Sequence, residues 1–194
     1  MTSVLVLPGL FGSDEGHWQR FWLQDRPESR LVAQADWARP KLVDWMERLE
    51  AALEEAGEAY IVAHSLGCVL AARLAGRASA RRVRGALLVA PCDLRSTDVL
   101  HPGLITFGTM PTEPLPFPSV TVGSLNDSYM SIDRLTLFGR LWNSEIRNIG
   151  PAGHINIASG FGRWSAGYQL MELLKARTRH RRRIPGSPAV VPAA

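Results

Sequence analysis

Residues 59–75 read AYIVAHSLGCVLAARLA and contain the transition on which the predicted fold depends. The five apolar residues at 59–63 form an uninterrupted run that predicts a buried strand. The stretch 66–75 is rich in Ala and Leu, which favours a helix. Only His64 and Ser65 separate the two segments. The sequence therefore predicts a very tight turn from a strand into a helix.

Apolar runs alternate with helical patterns along the rest of the chain. Strands are predicted at 4–7, 31–33, 59–63, 84–90, 120–122 and 145–149, and helices at 17–24, 41–56, 66–75, 131–141 and 164–175. Such alternation predicts a doubly wound, mostly parallel sheet of about six strands with helices on both faces. We expect one domain over 1–175 without a separate cap domain. Residues 93–117 carry prolines at 102, 111, 114 and 116, which predicts an extended surface loop that could act as a partial lid.

Composition and charge indicate an ordinary folded chain with a basic tail at 176–194. The hydrophobic fraction is 46% and the charged fraction 21%, as in typical globular domains. The net charge of +4 comes from the last twenty residues, which hold six basic side chains and no acid; without them, 16 basic residues face 18 acidic ones. We therefore expect no nucleic-acid binding from the folded domain, and a solvated tail before one that touches anionic surfaces. The sequence shows no membrane span or signal peptide, which predicts a cytoplasmic protein.

The tight turn places Ser65 where a nucleophile can stand clear of the sheet. Small residues flank such a serine because strand and helix approach closely, and here Ala63 and Gly67 stand two positions to either side. The Leu66 N–H, at the start of the helix, is placed to stabilise an oxyanion. A second donor is expected from the glycine-containing loop after the first strand. We favour the Leu10 N–H, with Phe11 as the neighbouring alternative.

A serine nucleophile needs a base and an acid, and both follow in the expected chain order. Asp127 comes just after the strand at 120–122, and His154 just after the strand at 145–149. Both lie at carboxyl ends of parallel strands, on the same sheet edge as Ser65, where open α/β sheets bind ligands. Asp93, which follows the preceding strand, is the competing candidate for the acid. The sequence predicts a Ser65–His154–Asp127 triad.

Several short motifs together resemble the retinoblastoma-binding protein 9-like serine hydrolases, a family of minimal α/β-hydrolase fold. The resemblance runs from Val4 to about Lys175 and rests on these segments: Ala-His-Ser-Leu-Gly at 63–67, Leu-Val-Ala-Pro at 88–91, Leu-Pro-Phe-Pro-Ser at 115–119, Asn-Asp-Ser-Tyr at 126–129, Gly-His-Ile-Asn at 153–156, Ser-Gly-Phe-Gly at 159–162 and Trp164. The resemblance implies the same triad. The family often has Pro after the acid, where this chain has Ser128, and the basic tail is not part of the resemblance.

Acyl transfer is the chemistry that this combination predicts. We expect a carboxylesterase-like hydrolase of small acyl substrates, with esters before amides or thioesters, that proceeds through an acyl-enzyme. The alternative is a non-catalytic or weakly catalytic protein-binding module on a hydrolase scaffold, with an unidentified protein partner. Phosphate-ester hydrolysis is less favoured, because no His, Cys or Asp cluster has metal-ligand spacing. We expect neither a metal nor a cofactor.

The remaining candidate residues receive structural interpretations. His64 is expected to point away from the nucleophile and to pack, and no partner is predicted for His17, His101 or His180. Cys68 is expected in the core; for Cys92, plain packing is favoured over a partly exposed thiol. Three phenylalanines are predicted to line the substrate pocket, which indicates a substrate with a modest apolar acyl or aromatic group: Phe11, Phe107 and Phe117.

Overall fold

A single sheet of six strands organises the protein, whose computed structural model describes residues 2–183. The strand order is β2-β1-β3-β4-β5-β6, and every neighbouring pair is parallel. The strands are β1 (Ser3–Leu7), β2 (Ser29–Leu31), β3 (Ala59–His64), β4 (Val83–Val89), β5 (Ser119–Gly123) and β6 (Glu145–Asn148). The predicted parallel sheet is confirmed, although β2 begins and ends two residues earlier than predicted.

Within the described residues, five α-helices connect the strands and a sixth follows β6. They are α1 (Trp18–Asp25), α2 (Leu42–Ala56), α3 (Leu66–Ala72), α4 (Leu94–Leu100), α5 (Ile132–Leu141) and α6 (Ser165–Arg183), and short 3₁₀ turns lie at Ala78–Arg82 and Ile157–Ser159. Local capping explains several boundaries. Ser131 accepts a hydrogen bond from the Arg134 N–H at the start of α5, and Gly57 ends α2 with φ +70°.

Alternate residues of the central strands supply two separate apolar layers. In β3, Ile61 and Ala63 belong to the layer that packs beneath α2, α3 and α5. Tyr60 and Val62 belong to the opposite layer, which Trp18 of α1 and residues of α6 cover. Successive side chains of a strand point to opposite faces, so a continuous apolar run such as 59–63 is the pattern of a strand with helices on both sides.

Residues 93–117 differ from the predicted extended surface loop. Their first part forms α4, which Asp93 caps by accepting a hydrogen bond from the Arg95 N–H. Phe107 and Phe117 are almost completely buried and join the apolar layer on the α2 side of the sheet. The prolines break regular structure as expected, but the apolar residues between them are drawn into the core because burial releases their surface from water.

The last helix also differs from its prediction, which ended it at Lys175. α6 continues to Arg183, and within this extension Thr178 is buried and its hydroxyl pairs with the Tyr60 hydroxyl at 2.5 Å. The contact at Thr178 fixes this turn of α6 against the sheet. Arginine has a high helix propensity, so the basic residues that follow can continue the helix. The remainder of the predicted tail, 184–194, lies outside the described residues. Within 2–183, none of the helices combines the length and the apolar character needed to cross a membrane.

Candidate active site

Ser65 lies on a strained turn between β3 and α3. Its backbone has φ +53° and ψ −121°, a region that residues with a side chain rarely adopt. The Ser65 N–H donates to the Val89 carbonyl of β4 at 3.1 Å, which continues the β3–β4 pairing through the turn. The neighbouring strand therefore holds the strained residue in place. The predicted tight turn and the position of Ser65 agree with this geometry.

Two glycines permit the close contacts around this turn. A Cβ at Gly67 would lie 2.3 Å from the Leu7 carbonyl oxygen, so α3 can pass the end of β1 only without a side chain there. A Cβ at Gly9 would lie 2.7 Å from the Ser65 Cβ and 3.2 Å from the Leu66 nitrogen. The backbone of the loop after β1 therefore packs directly against Ser65 and the start of α3, with no room for a side chain at position 9.

Ser65, His154 and Asp127 form a continuous hydrogen-bonded chain. The Ser65 Oγ lies 2.9 Å from His154 Nε2, and His154 Nδ1 lies 2.9 Å from both carboxylate oxygens of Asp127. Only 8% of Ser65 and 8% of His154 is exposed. The side chain of Asp127 is 2% exposed. Three strand ends therefore bring the three predicted residues together, in the order needed to move a proton from serine to histidine.

Side-chain hydrogen bonds hold the loops that carry Asp127 and His154 against each other. Asn126 Oδ1 accepts from the Gly153 N–H at 2.7 Å, and Ser124 Oγ accepts from the Ala152 N–H at 2.9 Å. Ser159 Oγ accepts from the His154 N–H at 3.1 Å. Each bond satisfies a backbone group close to His154, so the position of the imidazole is fixed from both sides of its loop.

Asp93, the competing acid, has another partner. Its Oδ2 accepts from Arg134 Nε at 2.5 Å, and its Oδ1 caps α4. Its side chain is 5% exposed, so the Arg134 guanidinium compensates a carboxylate that has little access to water. The carboxylate on the His154 ring is that of Asp127.

Two further histidines stand behind His154. His64 Nε2 lies 2.9 Å from the His154 carbonyl oxygen, and because a carbonyl only accepts, this nitrogen carries the proton. The His64 ring lies 4.9 Å from the rings of both His154 and His17. Burial, then the charges of His154 and His17, hold the pKa of His64 well below 6.5. Burial, then the charges of His154 and Arg20, lower the pKa of His17 to about 4. Both histidines are therefore neutral at neutral pH.

The two candidate donors after β1 differ in their hydrogen bonding. The Phe11 N–H donates to the Trp37 carbonyl at 2.8 Å, which commits it to the loop. Leu10 directly follows Gly9, the residue in contact with Ser65 and Leu66. This favours the Leu10 N–H over the Phe11 N–H as the second oxyanion donor beside the Leu66 N–H.

The predicted phenylalanine pocket is wrong for two of its three members. Phe117 is buried in the core, and Phe107 lines a groove of about 450 Å³ with Leu94 and Phe138, whose lining includes none of Ser65, Asp127 and His154. Phe11 alone is exposed. The proline-rich segment turns its aromatic side chains inward, which the sequence did not reveal.

The cysteines are both buried, as the favoured interpretation held. Burial raises the pKa of Cys92 to about 11 and that of Cys68 well above its ordinary value, so both thiols stay protonated and unreactive. In the described part of the chain, no group of three or more His, Cys, Asp or Glu side chains is arranged to hold a metal ion.

Sequence reasoning missed several residues around the site. Tyr129 lies against His154, with ring centroids 4.3 Å apart, and its hydroxyl is 2.9 Å from His101 Nε2. His64 was assigned only to packing, and no role was given to Asn126. The signal was present in part, because Asn126 and Tyr129 belong to the Asn-Asp-Ser-Tyr motif and His64 to the turn itself.

A strained serine turn at the carboxyl edge of a six-stranded parallel sheet defines an α/β-hydrolase fold. Residues 4–173 match the sequence model of the serine hydrolase family. The chain therefore belongs to the serine hydrolase family. No curated protein matches the chain significantly.

Several solved structures are similar to this chain in fold. A protein described as a YdeN-like hydrolase from Pectobacterium atrosepticum is 29% identical, with a TM-score of 0.75 over 91% of this chain and 89% of that one. The ydeN gene product from B. subtilis is 18% identical, with a TM-score of 0.73 over 91% of this chain and 100% of that one. Est1E from Butyrivibrio proteoclasticus shares the fold at 12% identity, with a TM-score of 0.63 over 89% and 88% of the two chains.

Proposed function

We propose that this protein hydrolyses small carboxylic esters through an acyl-enzyme on Ser65, with amides or thioesters as the alternative substrates. The observation that carries the proposal is the chain from Ser65 Oγ through the His154 ring to the Asp127 carboxylate, with 2.9 Å at each link. A serine hydroxyl is a weak nucleophile until a base accepts its proton. Here a base is within hydrogen-bond distance and is itself oriented by a carboxylate.

In the first half-reaction, His154 Nε2 accepts the hydroxyl proton while Ser65 Oγ attacks the ester carbonyl. Asp127 accepts a hydrogen bond from His154 Nδ1–H, which fixes the tautomer and stabilises the imidazolium. The bond between the carbonyl carbon and the alcohol oxygen then breaks. His154 gives its proton to the departing alcohol, and the acyl group stays on Ser65.

In the second half-reaction, water replaces the alcohol. As the water oxygen attacks the acyl-enzyme, His154 Nε2 accepts a proton from the water. His154 then returns this proton to Ser65 Oγ as the carboxylic acid leaves. We assign the Leu66 and Leu10 N–H groups to the oxyanion in both halves. Each such donor typically contributes about 3–4 kcal/mol to the transition state.

His64 supports this mechanism as a positioning residue. Its Nε2–H donates to the His154 carbonyl, and its low pKa keeps it neutral when His154 becomes positively charged. A second fixed positive charge at that distance would oppose formation of the imidazolium. The finer resemblance to retinoblastoma-binding protein 9-like hydrolases and a cytoplasmic location remain parts of this proposal.

Labelling with a fluorophosphonate probe tests the proposed nucleophile. We expect stoichiometric labelling of the native protein and none of Ser65→Ala, with full labelling of Ser119→Ala, another buried serine, as the matched control. A panel of short esters, amides and thioesters then tests the reaction. Equal labelling of native protein and Ser65→Ala would contradict the proposal. An unlabelled native protein that also hydrolyses none of the panel would favour the non-catalytic binding module.

A further inference from the structure

Three aromatic side chains continue outward from His154 and are here named the aromatic wall: Tyr129, His101 and Phe11. The Tyr129 ring lies 4.3 Å from the His154 ring. His101 stacks on Tyr129 at 5.9 Å with an angle of 13° between the ring planes, and Phe11 meets His101 edge-on at 5.5 Å. The rings come from separate loops after β1, α4 and β5, so only the tertiary fold assembles them.

Phe11, at the outer end of the wall, combines exposure with backbone strain. It is 52% exposed and has φ +65°, in the left-handed region that residues with a Cβ avoid. Hydrogen bonds from the Phe11 N–H to the Trp37 carbonyl and from the Gly12 N–H to the Gly9 carbonyl hold this conformation. A large apolar ring held at the surface in a strained conformation, next to a catalytic loop, indicates a contact surface.

Two polar atoms of the wall are paired with each other. The Tyr129 hydroxyl and His101 Nε2 lie 2.9 Å apart, which leaves ring faces and edges for a ligand. Aromatic rings interact with one another in offset-stacked or edge-on arrangements more favourably than with saturated groups of the same size. A surface of this kind therefore distinguishes a flat ring from a puckered one.

We propose that the aromatic wall is the specificity surface of the active site and selects substrates whose acyl group ends in an aromatic ring. This proposal rests on the proposed function at Ser65. The acyl carbonyl lies at the Leu10 and Leu66 N–H groups, and the ring of the acyl group packs against Tyr129 and Phe11.

Binding to Ser65→Ala protein tests the wall without any catalytic step. Phenylacetamide and cyclohexylacetamide have the same length and nearly the same volume, and differ in the flatness of the ring. We expect phenylacetamide to bind about three- to tenfold more tightly in an NMR titration. Adding Phe11→Leu should remove most of this preference. Adding Leu173→Ala, a change at a residue of α6 that is 55% exposed, should preserve it.

Hydrolysis provides the second measurement. With Ser65 intact, kcat/KM for methyl phenylacetate should exceed that for methyl cyclohexylacetate by the same factor, and Phe11→Leu should reduce the ratio. Equal binding of the two amides, or an aromatic preference that survives both Phe11→Leu and His101→Leu, would overturn the aromatic wall. An aromatic preference in binding without any hydrolysis or labelling would instead overturn the proposed function and leave the wall standing.

Discussion

The loops after β4 and β5 begin alike and end with different chemistry. Each places a carboxylate just beyond its strand, and each carboxylate accepts an N–H two residues further on: Asp93 from Arg95 at 3.0 Å, and Asp127 from Tyr129 at 2.8 Å. Asp93 pairs with Arg134, whereas Asp127 pairs with His154. The Asp93 N–H also donates to the Tyr129 carbonyl at 2.9 Å, so the two loops are joined.

The two loops show that the local sequence provides a candidate acid, whereas a residue distant in the sequence determines its role. Both carboxylates have the same local turn, the same sheet edge and nearly complete burial. What separates them is the side chain that another segment delivers: a guanidinium from α5 in one case and an imidazole from the loop after β6 in the other. A buried carboxylate needs a partner in either case. The identity of that partner makes one a stabilising residue and the other a candidate catalytic residue.

The largest expected effect is that of Asp127→Asn. In the amide, an NH2 group that donates hydrogen bonds replaces one of the two carboxylate oxygens that face His154 Nδ1. The variant therefore favours the wrong tautomer of His154. We expect kcat for ester hydrolysis to fall about 10³–10⁴-fold, with the thermal midpoint of unfolding lowered only slightly. Steady-state kinetics on a short-chain ester and thermal unfolding of the same preparation measure the two quantities. A loss below tenfold would remove Asp127 from the mechanism.

Asp93→Asn should show the opposite profile. The amide can still accept the Arg95 N–H, but the charge pair with Arg134 is lost. We expect the free energy of unfolding to decrease by about 2–3 kcal/mol, with kcat within about threefold of the native value. Urea denaturation followed by tryptophan fluorescence provides the measurement. Abolished activity with unchanged stability would exchange the roles assigned to the two loops.

A smaller effect is expected when the connection between the Asp127 and His154 loops is weakened. Asn126→Ala removes the acceptor of the Gly153 N–H and leaves that backbone group to water. We expect kcat to fall about tenfold with little change in KM, because the imidazole is less well positioned while substrate contacts remain. Ser128→Ala, at an exposed neighbour, is the matched control. Equal kinetics for the two variants would contradict a positioning role for Asn126.

The smallest expected effect is a loss of folding stability in acid, which arises from the two histidines behind His154. The pKa of His17 is lowered to about 4, so between pH 6.5 and 4 the unfolded chain binds a proton that the folded protein does not. Stability therefore decreases as pH falls through this window. We expect about 1 kcal/mol less unfolding free energy at pH 5.5 than at pH 7.5 from His17, and His64 adds to it in the same direction.

Urea denaturation at pH 7.5, 6.5 and 5.5 measures this dependence. His17→Asn is the informative variant, because Asn caps a helix well and does not titrate. His17 currently caps α1 by accepting from the Gln19 N–H. A shallower decrease of stability with acid is expected for the variant. The same slope in native protein and variant would show that His17 does not carry the effect.

Much of the fold could be predicted because its signals are local. An apolar run predicts a strand with helices on both sides, and β3 and β4 deviate from their predicted bounds by one residue. The predicted bounds of β2 were two residues off because the strand is short and pairs only with β1. Just beyond its end, the Val32 N–H still donates to the Val6 carbonyl. Prolines at 102–116 predicted irregular structure, but their spacing contained no information about which residues the core would bury.

The strand-to-helix turn at Ser65 follows from the local sequence alone. Backbone sterics require glycine at 67, and chain order places an acid and a histidine after later parallel strands. These constraints depend on neighbours in sequence and on the fixed direction of parallel strands. They therefore make Ser65 and His154 recognisable as candidates without coordinates, and they reduce the candidate acids to Asp127 and Asp93.

Which side chains come into contact, by contrast, depends on the packing of the whole fold. The fold pairs Asp93 with Arg134 and Asp127 with His154. It also places His64 within hydrogen-bond distance of the His154 carbonyl and assembles the aromatic wall from three separate loops. Such contacts depend on distances between segments far apart in sequence, set by how helices pack on both faces of the sheet. Side-chain partners across those distances leave no periodic pattern in the chain, which is why the turn at Ser65 was predictable and its surroundings were not.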